Sequence, residues 1–268
     1  MRPWPFCVVE VRVGRVLAVA NQKGGVGKTT TAVNLSAGLA LAGHPTLLID
    51  FDPQASATSG LGVHPQELEA SVYHVLIGAR AADDAIRTTQ IDNLSLLGAS
   101  RDLIGAEIEL VPLPRREYRL DEALTQVRRR FEFIIIDCPP SLGLLTVNAL
   151  TAADAVLIPL QCEYYALEGL SALLETVGFI RQSLNPKLDI QGLLLTMFDT
   201  RNGLAHQVVN EVRQHFPNQV FHSIVPRNVR LSECPSYGVP AMVYDATSRG
   251  ARAYAALADE LVQNVVRR

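Results

Sequence analysis

Between Val16 and Thr31 the chain reads VLAVANQKGGVGKTTT, and this run constrains the fold more than any other. Val16 to Ala20 is apolar and rich in branched residues, the pattern of a strand buried on both faces. Gly24, Gly25 and Gly27 follow within four positions. Without Cβ atoms there, successive backbone N–H groups can turn inward on one small anion. Lys28-Thr29 then opens a helix, so a phosphate in the loop meets free amides, the positive end of a helix dipole and an ammonium together. Strand, glycine loop and helix in that order specify a parallel α/β unit built around a phosphate cradle.

Composition supports the same reading. Of 24 basic residues only Lys23, Lys28 and Lys187 are lysine, and two of these three stand in the cradle. A compact ammonium fits among phosphate oxygens where a planar guanidinium does not. The general phosphate-loop pattern, G-x-x-x-x-G-K-[ST], wants its first glycine where this chain has Gln22. What stands instead is Lys23-Gly24-Gly25-Val26-Gly27-Lys28-Thr29, with a second lysine at the mouth.

Two further strand ends carry carboxylates. Thr46 to Ile49 reads as a buried strand that delivers Asp50-Phe51-Asp52-Pro53-Gln54 at its carboxyl end, where parallel sheets place ligands. Phe131 to Ile136, the most strand-like run, closes on Asp137-Cys138-Pro139-Pro140. An apolar strand ending in Asp beside a phosphate loop suits a carboxylate that holds hydrated Mg²⁺.

The loop resembles the deviant phosphate-loop signature KGGxGK[ST] of the ParA/MinD ATPases, and three other segments match that superfamily in order: Asp50 to Gln54, Asp137 to Pro140, and Pro226-Arg227-Asn228-Val229-Arg230-Leu231-Ser232-Glu233. The last of these is similar to the chromosomal ParA/Soj proteins. The resemblance covers roughly residues 15 to 265 and implies an ATPase using ATP and Mg²⁺. It implies that Lys23, Gly24, Gly25, Val26, Gly27, Lys28, Thr29 and Thr30 cradle the nucleotide. Lys23 would reach the nucleotide of a partner subunit in an ATP-dependent sandwich homodimer. Asp52 would orient the attacking water, making Lys23, Lys28 and Asp52 the catalytic set. Thr29 and, through water, Asp137 would hold the metal, with Asp50 supporting that region. Pro226 and Asn228 would contact the adenine. Arg201 and Arg230, with Arg227 as a further candidate, would form a face for non-specific double-stranded DNA. The bland alternative pairs Arg227 and Arg230 with Glu233 or Asp245 on the surface. The implied partner is a ParB/Spo0J-type centromere-binding protein that stimulates slow hydrolysis. The implied location is cytoplasmic and nucleoid-associated. The alternative is a MinD-like membrane-associated regulator of division-site placement.

Charge patterning is compatible with the DNA reading. Formal net charge is −3, yet from Arg201 onward eight arginines face five acids, a basic last quarter on an acidic body. No apolar run approaches transmembrane length, so no stable membrane insertion is expected. Only Arg267 and Arg268 offer a basic polar face at the end of the last helix, which counts against the MinD-like alternative. Cys7, Cys138, Cys162 and Cys234 are far apart, as buried thiols of a reduced cytosolic protein are.

The expected fold is a doubly wound, mainly parallel sheet with helices on both faces, in one domain over residues 15–268 after an arm at 1–14 that is loose, an edge strand, or a product of an early start codon. Further strands are expected at 94–97, 155–159, 190–198 and 220–225. Helices are expected at 30–42, 64–78, 101–110, 118–130, 166–183, 204–216 and 249–266. Glu163 is expected either to face the partner subunit or to serve as a plain acid at a helix start.

Overall fold

The computed structural model describes residues 14–163 and 166–266, so the expectations for the arm and for Arg267 and Arg268 fall outside the described residues. Among the described residues eight strands form one sheet in the order β3-β4-β2-β5-β1-β6-β7-β8. The strands are β1 (Arg15–Val19), β2 (Thr46–Asp50), β3 (Ile86–Thr88), β4 (Leu94–Leu97), β5 (Phe133–Asp137), β6 (Ala155–Gln161), β7 (Asp189–Phe198) and β8 (Val220–Pro226). All pairings are parallel except β3 with β4. The chain winds outward from β1 in both directions, which leaves a crevice where the winding reverses.

The helices are α1 (Lys28–Leu41), α2 (Ser56–Gly60), α3 (Val72–Leu76), α4 (Ala82–Ala85), α5 (Leu103–Glu109), α6 (Arg119–Leu124), α7 (Leu144–Ala152), α8 (Ala166–Ser183), α9 (Gly203–His215), α10 (Val229–Glu233), α11 (Ala241–Tyr244) and α12 (Arg249–Val266). Side chains alternate across each strand, so one sheet makes two cores. Leu17, Val19, Leu48, Ile135 and Leu157 pack with α1 and α12, whereas Val16, Ala18, Ile49, Ile134 and Ile136 pack with α3 and α5 to α9. The strands read as continuous apolar runs because both faces are covered.

Two helix expectations need correction. Residues 64–78 do not form one helix: a 3₁₀ turn at Pro65–Glu67 and the short α3 replace it. Ser71 restarts the chain with a capping box in which its side chain and His74 Nδ1 satisfy each other's backbone amides, so a new helix begins mid-run. The expected helix at 118–130 ends at Leu124, and Arg128–Arg130 make a single 3₁₀ turn. Leu120, Leu124 and Val127 point inward as expected, at most 2% exposed. Arg128 leaves the helical path because its guanidinium clamps Asp154 and donates to Gly14 O, while Arg130 pairs with Asp83. Helices α8 and α12 span the expected residues. Strand β3 and helix α7 carry no expectation from the sequence.

On the outer edge strand β8, Glu260 of α12 accepts the backbone amides of His222 (2.7 Å) and Ser223 (2.9 Å). No helix among the described residues is long and apolar enough to cross a membrane.

Candidate nucleotide and magnesium site

The carboxyl ends of β1, β2 and β5 come to one level, since Val19 and Asp50 each stand opposite Asp137 in the parallel register. The loop from Asn21 to Gly27 rises from β1 between them. Gly25 (φ +73°) and Gly27 (φ +91°) lie in the left-handed region, where a Cβ atom is disfavoured, so these two positions require glycine. Helix α1 follows, and the amide of Thr31 donates to Gly27 O at 2.8 Å. The amides of the turn before it have no helical carbonyl to meet and face the cradle.

The loop is tied down from outside. Asn21 is buried; its Nδ2 donates to Pro159 O at the end of β6 (2.7 Å) and its Oδ1 accepts Lys23 N (3.0 Å). Thr196 Oγ1, at the end of β7, donates to Val26 O (2.9 Å). Lys28 is buried, and its Nζ donates to Lys23 O (3.1 Å) across the loop. Burial pushes the Lys28 ammonium below its ordinary pKa, while the charges of Asp137 and Asp52 oppose that shift. Lys23 behaves differently. Its side chain is 35% exposed at the mouth, with Nζ 3.4 Å from Glu163 Oε2.

Of the three carboxylates, two are engaged by the protein and one is not. Asp50 is fully buried; Oδ2 accepts Thr58 N and Thr58 Oγ1, both at 2.7 Å, and Oδ1 accepts Asp52 N at 3.2 Å. Thr58 Oγ1 also accepts Ala99 N (3.0 Å), which locks α2 to the end of β4. Burial raises the Asp50 carboxyl to about 6 despite these bonds. Asp52 is half-buried, and its Oδ1 accepts Gln54 N at 2.9 Å. Asp137 is fully buried with neither oxygen hydrogen-bonded. Burial, then the neighbouring Asp50, lifts its pKa well above the carboxylate range, and the Thr29 hydroxyl eases that only in part. An orphaned buried carboxylate is costly unless a cation completes it. Beside a phosphate cradle and a threonine hydroxyl, this donor set fits Mg²⁺, which would be completed by phosphate oxygens and water. Among the described residues no cluster of His, Cys, Asp and Glu could hold a metal without such outside oxygens.

Next to the cradle lies a cleft of about 210 Å³ lined by Gly27, Thr30, Thr196, Met197, Val225, Pro226, Asn228, Leu231 and Tyr254 among others. The structure thus brings Pro226 and Asn228 to the same cleft as Gly27 and Thr30. Arg227 lines it too, exposed at its rim. Thr58, Thr196, Met197 and Tyr254 are absent from the expected site. Thr196 and Met197 sit at a parallel strand's carboxyl end, a placement that could have marked them; Tyr254 reads from sequence only as core. Its hydroxyl meets Thr31 Oγ1 at 3.1 Å and joins α12 to α1 beneath the cleft.

The family model described as an AAA domain matches residues 14–190. Over 251 residues the chain is 55% identical to the chromosome partitioning protein ParA of Myxococcus xanthus, covering 94% of this chain and 89% of that one. Over 252 residues it is 54% identical to the sporulation initiation inhibitor protein Soj of Bacillus subtilis, covering 94% and 100%. The chain belongs to the ParA/Soj family of chromosome-partitioning ATPases. A solved structure of cobyrinic acid a,c-diamide synthase from Mycobacterium smegmatis, with bound ATP analog and magnesium, has a TM-score of 0.84 at 40% identity, covering 95% and 96% of the two chains. This ParA/Soj chain is accordingly an ATPase, with the fold expected from its sequence.

Burial pushes the thiol of Cys138 up strongly and that of Cys162 up to about 11, so both are unreactive packing groups in this ATPase. The arginines of the expected DNA face gather at the carboxyl ends of β7 and β8, and two are already paired. Arg201 is held by Asp199, and Arg230 by Glu233 and Asp245. The surface pairing weighed for Arg230 is therefore present. For Arg227, the described contact is a backbone bond from its N to Phe198 O (3.0 Å).

Proposed function

We propose that this chain is a nucleotide-switched DNA-partitioning protein, with residues 15–268 acting as one ATPase domain. ATP lies with its phosphates in the cradle from Lys23 to Thr30 and its base in the cleft against Pro226 and Asn228. Lys28 neutralises the phosphates from inside. Thr29 and, through water, Asp137 would hold the metal, whose charge would stabilise the phosphate oxygens as the terminal bond breaks. Asp50, saturated by Thr58 and Asp52, supports this region from beneath. Asp52, free on one oxygen and half-buried, orients the attacking water. Among the described residues no strong general base other than Asp52 stands at the site, which supports slow hydrolysis by the chain alone.

The observation that carries the reading is the contrast between the two cradle lysines. Lys28 is buried, whereas Lys23 stands at the mouth within reach of a second molecule. A second subunit closing on this face receives Lys23 at its own nucleotide, so ATP becomes the glue of a sandwich dimer. The dimer then offers Arg201 and Arg230 from both subunits to DNA phosphates without reading sequence. A ParB-type centromere-binding partner stimulates hydrolysis and releases the protein, which places it on the nucleoid in the cytoplasm.

The test is DNA co-sedimentation in low salt with ATP, ADP or no nucleotide. The unmodified protein is expected to pellet with DNA only with ATP, and Lys23→Ala is expected to abolish this. Equal binding in every state, or in none, would overturn the reading.

A further inference from the structure

The arginines proposed to meet DNA do not stand free. Arg201 is 86% exposed, yet Asp199 grips it in a two-pronged pair, Nε to Oδ1 at 3.0 Å and Nη2 to Oδ2 at 2.8 Å. The same Asp199 Oδ1 accepts Arg201 N at 3.0 Å, so the carboxylate is fixed by the backbone of the loop it masks. Arg230 is held likewise. Its Nη1 lies 2.8 Å from Glu233 Oε2 and its Nε 3.4 Å from Asp245 Oδ2. Asp245 is in turn fixed by Thr247 N (3.1 Å) and Thr247 Oγ1 (2.8 Å). The pairing also depresses the Asp199 carboxyl strongly, mainly through its bonds to Arg201.

A carboxylate offers an arginine fork the same charge sign and oxygen spacing that a phosphate does. We propose that Asp199, and Glu233 with Asp245, are built-in competitors for DNA phosphate, so that each arginine must exchange an internal anion for an external one. The inference rests on the DNA-binding reading above and deepens it. It explains how a face with exposed arginines can stay weak in a single subunit. One exchange gains little, because an ion pair is lost for each one made. Several exchanges made together by a dimer add up these small gains, each with its share of released DNA counterions. Low intrinsic affinity keeps detachment easy once the dimer opens.

The test is fluorescence anisotropy on random-sequence duplex DNA with ATP, using the full chain. Asp199→Asn and Glu233→Gln keep the side-chain shape and one acceptor oxygen, replace the other oxygen with an amide donor, and remove the charge. Each is expected to tighten binding about two- to fivefold, the range set by exposed ion pairs. Glu211→Gln, an exposed acid of α9 with no arginine pair among the described residues, controls for the general change in net charge. In an Arg201→Ala background, Asp199→Asn should give no more than that control. Thermal melts check that each variant folds. If Arg201→Ala and Arg230→Ala weaken binding while Asp199→Asn and Glu233→Gln match the control, the competitors are overturned and the DNA face stands. If the arginine variants bind as well as the unmodified chain, the DNA face is wrong and the competitors fall with it.

Discussion

At the scale of single residues, the site stores an unfavourable charge. Asp137 is buried with neither oxygen hydrogen-bonded, beside a buried Asp50 on the neighbouring strand. Both carboxyl pKa values are raised in the folded chain, that of Asp50 from 3.8 to about 6. The folded state therefore keeps protons that the unfolded chain has already released. Its stability falls as pH rises from about 4 to 6 and does not recover at pH 7 without a cation. Asp137→Asn should raise the stability of the nucleotide-free protein at pH 7 by about 1–3 kcal/mol, measured by urea unfolding, and flatten the pH dependence. The same variant should lose Mg²⁺-dependent ATP hydrolysis. A variant less stable than the unmodified chain would show that Asp137 is not a strained carboxylate. Such residues were legible in the sequence because an acid closing an apolar strand has few structural reasons to exist. Thr58 was not, since a threonine in a run of small polar residues has many, and only the fold shows it bonded to Asp50 and Ala99.

At the scale of elements, the cleft depends on α10 lying close to α12. A Cβ built on Gly250 would come within 2.6 Å of Leu231 Cγ, and Leu231 lines the cleft. Gly250→Ala should push α10 outward and cost about 1–3 kcal/mol of stability, as overpacking does. Because α10 starts at the cap formed by Asn228 Oδ1 on Arg230 N (2.9 Å), the shift should also weaken nucleotide binding. Denaturant midpoints and titration with a fluorescent ATP analogue check both effects; stability lost with unchanged nucleotide affinity would uncouple the cleft from this contact. Long periodic helices such as α8 and α12 were legible because their burial stripes span several turns. The breaks at Pro65–Ser71 and after Leu124 were not. One is set by a local cap, and the other by Arg128 reaching Asp154, a residue distant in sequence but adjacent in the sheet. Strand β3 escaped notice for a related reason, since three residues, one half-buried and two exposed, carry no period.

At the scale of the whole molecule, a dimer that meets DNA through Arg201 and Arg230 of both subunits makes about four phosphate contacts, which sets a log–log salt slope near −3.6. DNA affinity should then fall roughly 100-fold between about 50 and 200 mM salt. A flat salt response measured by anisotropy would remove phosphate contact as the basis of binding. The sheet itself bears on how copies can meet. On β8 the amides of His222 and Ser223 are occupied by Glu260, and at the far edge β3 is an antiparallel strand of 3 residues. Among the described residues one margin is thus partly filled and the other is short, which makes one molecule a poorer template for the next. Backbone-linked fibres between crowded copies are thereby disfavoured, and a lattice held instead by side chains would be as reversible as those contacts.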